Sequence, residues 1–288
     1  MSGLYELHER PELERPTLVI ALEGWVDAGF AAAGAAQALT ADISWTTVAT
    51  FDTDALIDYR ARRPVMHLRD GVNTGLTWPI LELRYGVDRV GNDVLLLAGH
   101  EPDTLWKRFA TEVIELAQSL AVVMVCGLGA YPTAVPHTRP SPLSVTATSE
   151  ELAGRYRLVR NSVDVPAGIQ AVLEHGFSQQ GVPALGLWAQ VPHYIAQMPY
   201  PPASLVLLET LQNVSGVTIR PEGLREAAFA TRIKVDQLVA NSEEHAEMVR
   251  QLERHFDAEV TAEPMPNDLP SGDEIAAELE RFLRDQGA

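Results

Sequence analysis

Val94-Leu-Leu-Leu-Ala98, then Gly99-His-Glu-Pro-Asp103, then an amphipathic run to Ser119, then Ala121-Val-Val-Met-Val-Cys126: these 33 positions decide the fold. Val94–Ala98 has no polar residue on either face, which suits a strand covered by helices on both sides. Gly99–Asp103 is a polar break. From there Leu105, Phe109, Val113, Leu116 and Leu120 recur every three or four residues, one stripe of a helix, with Asp103 placed as its N-cap. Ala121–Cys126 is apolar throughout. Doubly buried strands joined by a helix belong to a parallel sheet.

The same reading extends outward. Thr17–Leu22 is a short apolar strand, followed by the loop Glu23-Gly-Trp-Val-Asp-Ala-Gly29 and an alanine-rich helix from about Ala28 to Thr40. Ser44–Thr50 is a β-branched strand. Pro64–Leu68 and Trp78–Tyr85 flank the turn-forming Asp70-Gly71 and Asn73-Thr-Gly75, which predicts a hairpin or paired extended segments. A Pro-, Gly- and Thr-rich loop is expected from Gly127 to about Pro142, a helix over Val165–Gln180, a strand over Leu185–Val191 and a helix over Pro202–Val214. The fold class is α/β: three layers around a mostly parallel sheet.

Charge divides the chain. From Pro221 onward there are 16 acidic and 7 basic residues, more than half of the total net charge of −17. Residues 1–220 are therefore read as the α/β domain and 221–288 as a C-terminal helical, acidic extension. Its expected features are a helix after Pro221 and a restart at Asn241-Ser242. A proline-rich linker at Glu263–Pro270 and a Ser271-x-x-Glu274 capping box follow.

A net charge of −17 argues against nucleic-acid or anionic-membrane binding, which needs a basic face. One cysteine, Cys126, excludes an intrachain disulfide and a multi-thiolate zinc site, and its place at a strand end marks it as a core residue. No secretory signal and no membrane span is expected, so the reading is a cytoplasmic protein.

Four polar loops follow apolar strands, at residues 23–27, 99–103, 127–140 and 190–194. Open parallel sheets bind ligands where strands end at their carboxyl edge. Gathered there, Trp25, Asp27, Glu101, His137, Arg139 and His193 form the candidate ligand site, offering an aromatic wall, acids, bases and one anion contact. The plainer alternative is that Gly and Pro make turns, Asp27 and Asp103 cap helices, and Trp25, Trp106 and Trp188 pack layers. Gly127-Leu-Gly129 lacks the third glycine of a dinucleotide fingerprint; no phosphate-cradling Gly-x-x-x-x-Gly-Lys and no Gly-x-Ser-x-Gly elbow occurs. No cofactor is implied. The histidines lack helical metal-ligand spacing, so no metal site is assigned.

Glu-Gly-Trp-Val-Asp-Ala-Gly (23–29), Gly-His-Glu-Pro-Asp (99–103), Gly-Leu-Gly-Ala-Tyr-Pro (127–132), Val-Pro-His-Thr-Arg-Pro (135–140) and Trp-Ala-Gln-Val-Pro-His-Tyr (188–194) together resemble the actinobacterial branch of the proteasome assembly chaperone 2 family. That resemblance covers roughly Leu18–Leu211. It implies a phosphorylase/hydrolase-like α/β fold, a homotrimer and protein partners, and it carries no agreed catalytic residues. Two functional readings follow. The favoured one is a non-enzymatic, chaperone-like binding or complex-assembly protein. The alternative is a small-molecule hydrolase or nucleoside-phosphorylase-like transferase using the loop cluster.

Overall fold

The computed structural model describes residues 3–149, 152 and 164–261. Its strands are β1 (Tyr5–Leu7), β2 (Thr17–Glu23), β3 (Trp45–Phe51), β4 (Val65–Arg69), β5 (Val72–Thr77), β6 (Leu81–Val87), β7 (Asp93–His100), β8 (Met124–Thr133), β9 (Leu143–Ala147) and β10 (Ala184–Pro192). The helices are α1 (Ala31–Asp42), α2 (Thr53–Leu56), α3 (Trp106–Ser119), α4 (Ile169–Gln179), α5 (Pro201–Ser215), α6 (Glu222–Ala240) and α7 (Glu243–Thr261). The expected linker and capping box at 263–274 lie outside the described residues.

Eight strands form one sheet in the order β1-β3-β6-β7-β2-β8-β10-β9. β7, β2, β8 and β10 are mutually parallel, while β6 and β9 run antiparallel to their neighbours at either side. Because β3 is antiparallel to β6, it points the same way as the central four, so five of the eight strands share a direction. Along β2 the side chains alternate between two cores. Leu18 and Ile20 face α3 and α4 with Phe109, Val113, Leu173 and Phe177; Val19 and Ala21 face α1 and α5 with Ala35, Leu39, Leu207 and Leu211. Each fully buried Leu or Phe in these layers contributes about 1.5–3 kcal/mol.

Three expectations shift on local grounds. β8 runs through Gly127 and Gly129 to Thr133, so no loop opens at Gly127; it pairs with β10 from Val125 to Thr133. Asp103 is not the N-cap of α3, because the chain turns at Leu105, which has a left-handed φ of 56°, before the helix begins at Trp106. Asp103 instead accepts the Asp58 amide and pairs with Arg62. Trp25, expected to pack between layers, is 48% exposed.

β4 and β5 stand apart from the main sheet as a two-stranded hairpin, paired with a bulge after His67. They are inserted between β3 and β6, which pair directly with each other. The insertion is rooted by Tyr59 packed edge-on against Trp78 at 4.9 Å and by the Arg62–Asp103 pair. Val65, Met66, Leu68, Val72 and Leu76 on the hairpin are exposed, Val72 by 62%.

Past α5 the chain is tied down at residues 216–220. Asp88 accepts the Thr218 amide, and Asp42 accepts the Arg220 amide while pairing with Arg89. The helices that follow then lie against the body through the buried Val235 and Val249.

Candidate functional site

A cavity of about 780 Å³ lies over the carboxyl half of β8 and the middle of β9 and β10, beneath α4. Glycines on the strands make room for its lining. A Cβ on Gly127 would overlap the Gln170 amide, one on Gly129 would overlap the indole of Trp188, and one on Gly186 would overlap Thr146 and Glu174. Three side chains missing from adjacent strands thus leave room for α4 and its polar residues to lean over the sheet. The Trp188 ring covers Gly129 and donates from Nε1 to the Thr146 hydroxyl at 3.3 Å. Trp25, Leu22, Val26, Leu128, Val145, Val165 and Ile169 supply further wall.

Two carboxyl groups line this cavity, in different states of support. Glu101 is buried and accepts the Ile169 amide at 2.6 Å, at the first turn of α4, where the helix dipole favours an anion. Gly168, the residue before that turn, has no room for a side chain between Trp25 and Glu101. Glu174, one turn into α4, is equally buried, with only neutral partners: the Thr146 hydroxyl at 3.0 Å and the Gln170 amide at 3.2 Å. Burial pushes its carboxyl above the usual range, and those two hydrogen bonds recover only part of the cost. Tyr131 and Ser144 complete the polar lining, hydroxyl to hydroxyl at 2.7 Å.

Of the six residues expected at one site, this cavity holds two, Trp25 and Glu101. Asp27 is occupied elsewhere. Its two oxygens accept the Ala32 and Ala33 amides at 2.8 and 3.0 Å, capping α1, and burial raises its pKa against those bonds. The plainer reading holds for Asp27, though four residues ahead of the helix, because Gly29 and Phe30 take positive φ to bring the carboxylate back.

His137 and Arg139 belong to a second arrangement. His137 is buried; the Tyr194 hydroxyl lies 2.6 Å from its Nδ1 and Asp236 of α6 lies 3.0 Å from its Nε2. The roles that satisfy all three have the phenol donating to Nδ1 and Nε2–H donating to Asp236. The phenol is pushed up to about 12, chiefly by burial. Thr138 donates to Glu253, and Arg139 pairs with Glu253 at 3.2 Å and Asp257 at 2.7 Å, both on α7. Arg232 of α6 donates to the Thr138 carbonyl. Arg139, read from the sequence as an anion contact, meets the acidic extension because the loop sits under α6 and α7, whose carboxylates are the nearest. The Val135–Pro140 loop is therefore the seat of the C-terminal helices. His193 is exposed, edge-on to Tyr194 at 5.4 Å, with Nδ1 by the Thr133 carbonyl.

Sequence reasoning missed Tyr131, Gln170, Glu174 and Trp188. The spacing Gly127-x-Gly129 and Gly186-x-Trp188 on paired strands was the available signal: residues two apart share a face, so both strands present glycine to one side. Cys126 is buried as expected and its thiol is raised to about 12 by burial, which makes it inert. Among the described residues no cluster of histidine, cysteine and carboxylate side chains has metal-binding geometry, and no helix is long and apolar enough to cross a membrane.

Comparison with solved structures places this geometry among relatives. A Mycobacterium tuberculosis protein of unknown function is 39% identical, with a TM-score of 0.86 over 91% of this chain and 93% of that one. A Corynebacterium glutamicum protein of unknown function is 30% identical, with a TM-score of 0.84 over 90% of this chain and 98% of that one. A proteasome-assembly chaperone homologue from Mycobacterium tuberculosis is 34% identical, with a TM-score of 0.75 over 81% and 99% of the two chains. Among curated proteins none matches significantly. The PAC2 family model matches residues 21–239, from within β2 to the end of α6. That span takes in both the cavity under α4 and the loop beneath the C-terminal helices, and the chain belongs to the PAC2 family.

Proposed function

We propose that this protein is a non-enzymatic, chaperone-like assembly protein that works in the cytoplasm as a homotrimer and binds subunits of a larger complex such as a proteasome. The observation that carries the reading is the β4–β5 hairpin. Isolated two-stranded hairpins are marginal in water, and this one exposes Val65, Met66, Leu68, Val72 and Leu76 away from the core. Apolar surface of that kind is typical of a contact element. A 34% identical relative that is a proteasome-assembly chaperone homologue supports the class of partner. In this reading residues 1–220 form the binding body, and the acidic extension from residue 221 is an arm seated on its Val135–Pro140 loop.

Light scattering after size exclusion tests the proposal: Val72→Asp combined with Leu76→Asp should convert an oligomer to a monomer without lowering helical content. A wild-type monomer, or a double variant with unchanged mass that still binds its subunits, would remove the hairpin from the account.

The cavity favours a second reading, a small-molecule enzyme. Its described lining contains hydroxyl and carboxyl groups but no histidine or cysteine, so a histidine-activated hydroxyl or thiol has no counterpart among the described residues there. The assembly reading stands first.

A further inference from the structure

The cavity under α4 opens to solvent beside the half-exposed Trp25, and its volume falls within the range of small-molecule sites. Glycine at three positions of two adjacent strands leaves room for side chains that line it, Gln170, Trp188, Thr146 and Glu174.

Its chemistry is one-sided. Three aromatic rings, Trp25, Tyr131 and Trp188, and several aliphatic side chains form the walls; the charged groups among the described lining are both acids, Glu101 and Glu174. Among the described lining residues no lysine, arginine or histidine accompanies them. Glu101 has its counter-charge built in, at the start of α4. Glu174 has none among the described residues. A carboxyl group buried beside neutral partners alone is costly to ionise, and an arriving cation would relieve that cost. Indole and phenol faces attract the same kind of group. The benzo ring of Trp188 reaches over Gly129, and the side chain also lines the cavity.

We propose that this cavity binds an organic amine with an aromatic or apolar body, its ammonium group paired with Glu174 and its body held between Trp188 and Trp25. The site is separate from the hairpin and does not depend on the assembly reading. Binding has a proton balance. Glu174 enters protonated to the extent that burial holds it so; on pairing with the ammonium it releases that proton to solvent, and the amine stays protonated.

Three probes of one shape and different charge test the idea on the full-length protein: phenethylamine, 2-phenylethanol and phenylacetate, by titration calorimetry in two buffers of different ionisation heat. The amine should bind saturably, at least about tenfold more tightly than the alcohol, which corresponds to about 1.4 kcal/mol. Phenylacetate should be the weakest. The amine's apparent enthalpy should change with buffer in the direction of proton release. Glu174→Gln should erase the preference for amine over alcohol, and Trp25→Ala, at an exposed position, should weaken amine and alcohol alike while the melting temperature holds. Trp188→Leu should do the same if it folds; if it does not, Trp25→Ala carries the test. The proposal is overturned if the amine fails to saturate at millimolar concentration, if alcohol or acid binds as tightly as the amine, or if Glu174→Gln keeps the amine preference.

Discussion

Glu174→Gln also predicts a change in stability whose sign depends on pH. Burial raises the Glu174 carboxyl above its ordinary value of 4.5, so the folded chain holds that proton more tightly than the unfolded chain does. The stabilisation from this tighter proton binding is complete below the unfolded value and is lost as pH climbs through the folded one. Above that, the native protein carries the whole cost of an ionised carboxyl in the cavity. Gln keeps the size and the carbonyl acceptor facing the Gln170 amide, and it never ionises. Leaving a buried polar group without its full set of partners costs about 1–3 kcal/mol. The bonds from Thr146 and Gln170 are stronger to a charged group than to an amide, which trims the gain. In mildly alkaline buffer the variant should therefore be more stable, within that range. For a chain of this size, that is a rise in Tm of roughly 2–10 °C. The advantage should shrink steadily on acidification and vanish near the unfolded value. Thermal melts of both proteins across that pH range, compared as differences, isolate this one group from every other. A variant less stable than wild type at alkaline pH would mean that Glu174 is ionised and held by a cation, and an advantage independent of pH would mean that burial does not shift its proton binding; either result refutes the reasoning.

Further outcomes follow from other contacts. Gly99, at a φ of 120°, has the Ile80 carbonyl where a Cβ would go, so Gly99→Ala should cost at least about 3 kcal/mol and lower Tm sharply; a melt within a degree of wild type would contradict it. His137→Ala removes bonds to both Tyr194 and Asp236, and limited proteolysis should then cut within 222–257 faster while the α/β body survives; unchanged cleavage there would show that His137 does not hold the arm. A chain ending at Ala262 should still unfold cooperatively, because the described members of both sheet-face cores run no further than Val239; insoluble expression would count against this. Chelator should leave Tm unchanged, and a fall of many degrees with stoichiometric metal in the native protein would disprove it.

The parallel centre of the sheet was readable because doubly apolar strands such as Val94–Ala98 have few other homes. The antiparallel flanks were harder: Leu81–Val87 alternates and reads equally well as part of the local hairpin, and only tertiary pairing with β3 and β7 places it in the main sheet. Asp103 looked like a helix cap because local sequence cannot show Arg62 arriving from 41 residues away. The candidate site divided for a similar reason. His137 and Arg139 do lie past the end of a parallel strand, but the partners that claim them, Asp236, Glu253 and Asp257, come from a segment set apart by its charge. Glu174 sat unremarked in an ordinary helical pattern. What makes it unusual is three absent side chains on the strands opposite, which no local window around residue 174 contains.

The pairing of β3 with β6 has a consequence for how such proteins diversify. Because these strands close on each other, everything from residue 58 to 79 leaves and re-enters the sheet at neighbouring points. The segment behaves as a cassette. Its length and apolar pattern can be rewritten without disturbing any strand of the main sheet, provided that Tyr59, Arg62 and Trp78 keep its two ends fastened. Exchanging this cassette between two relatives should transfer the choice of contact surface while each body keeps its own cavity, so recognition and ligand chemistry can evolve on separate schedules within one chain.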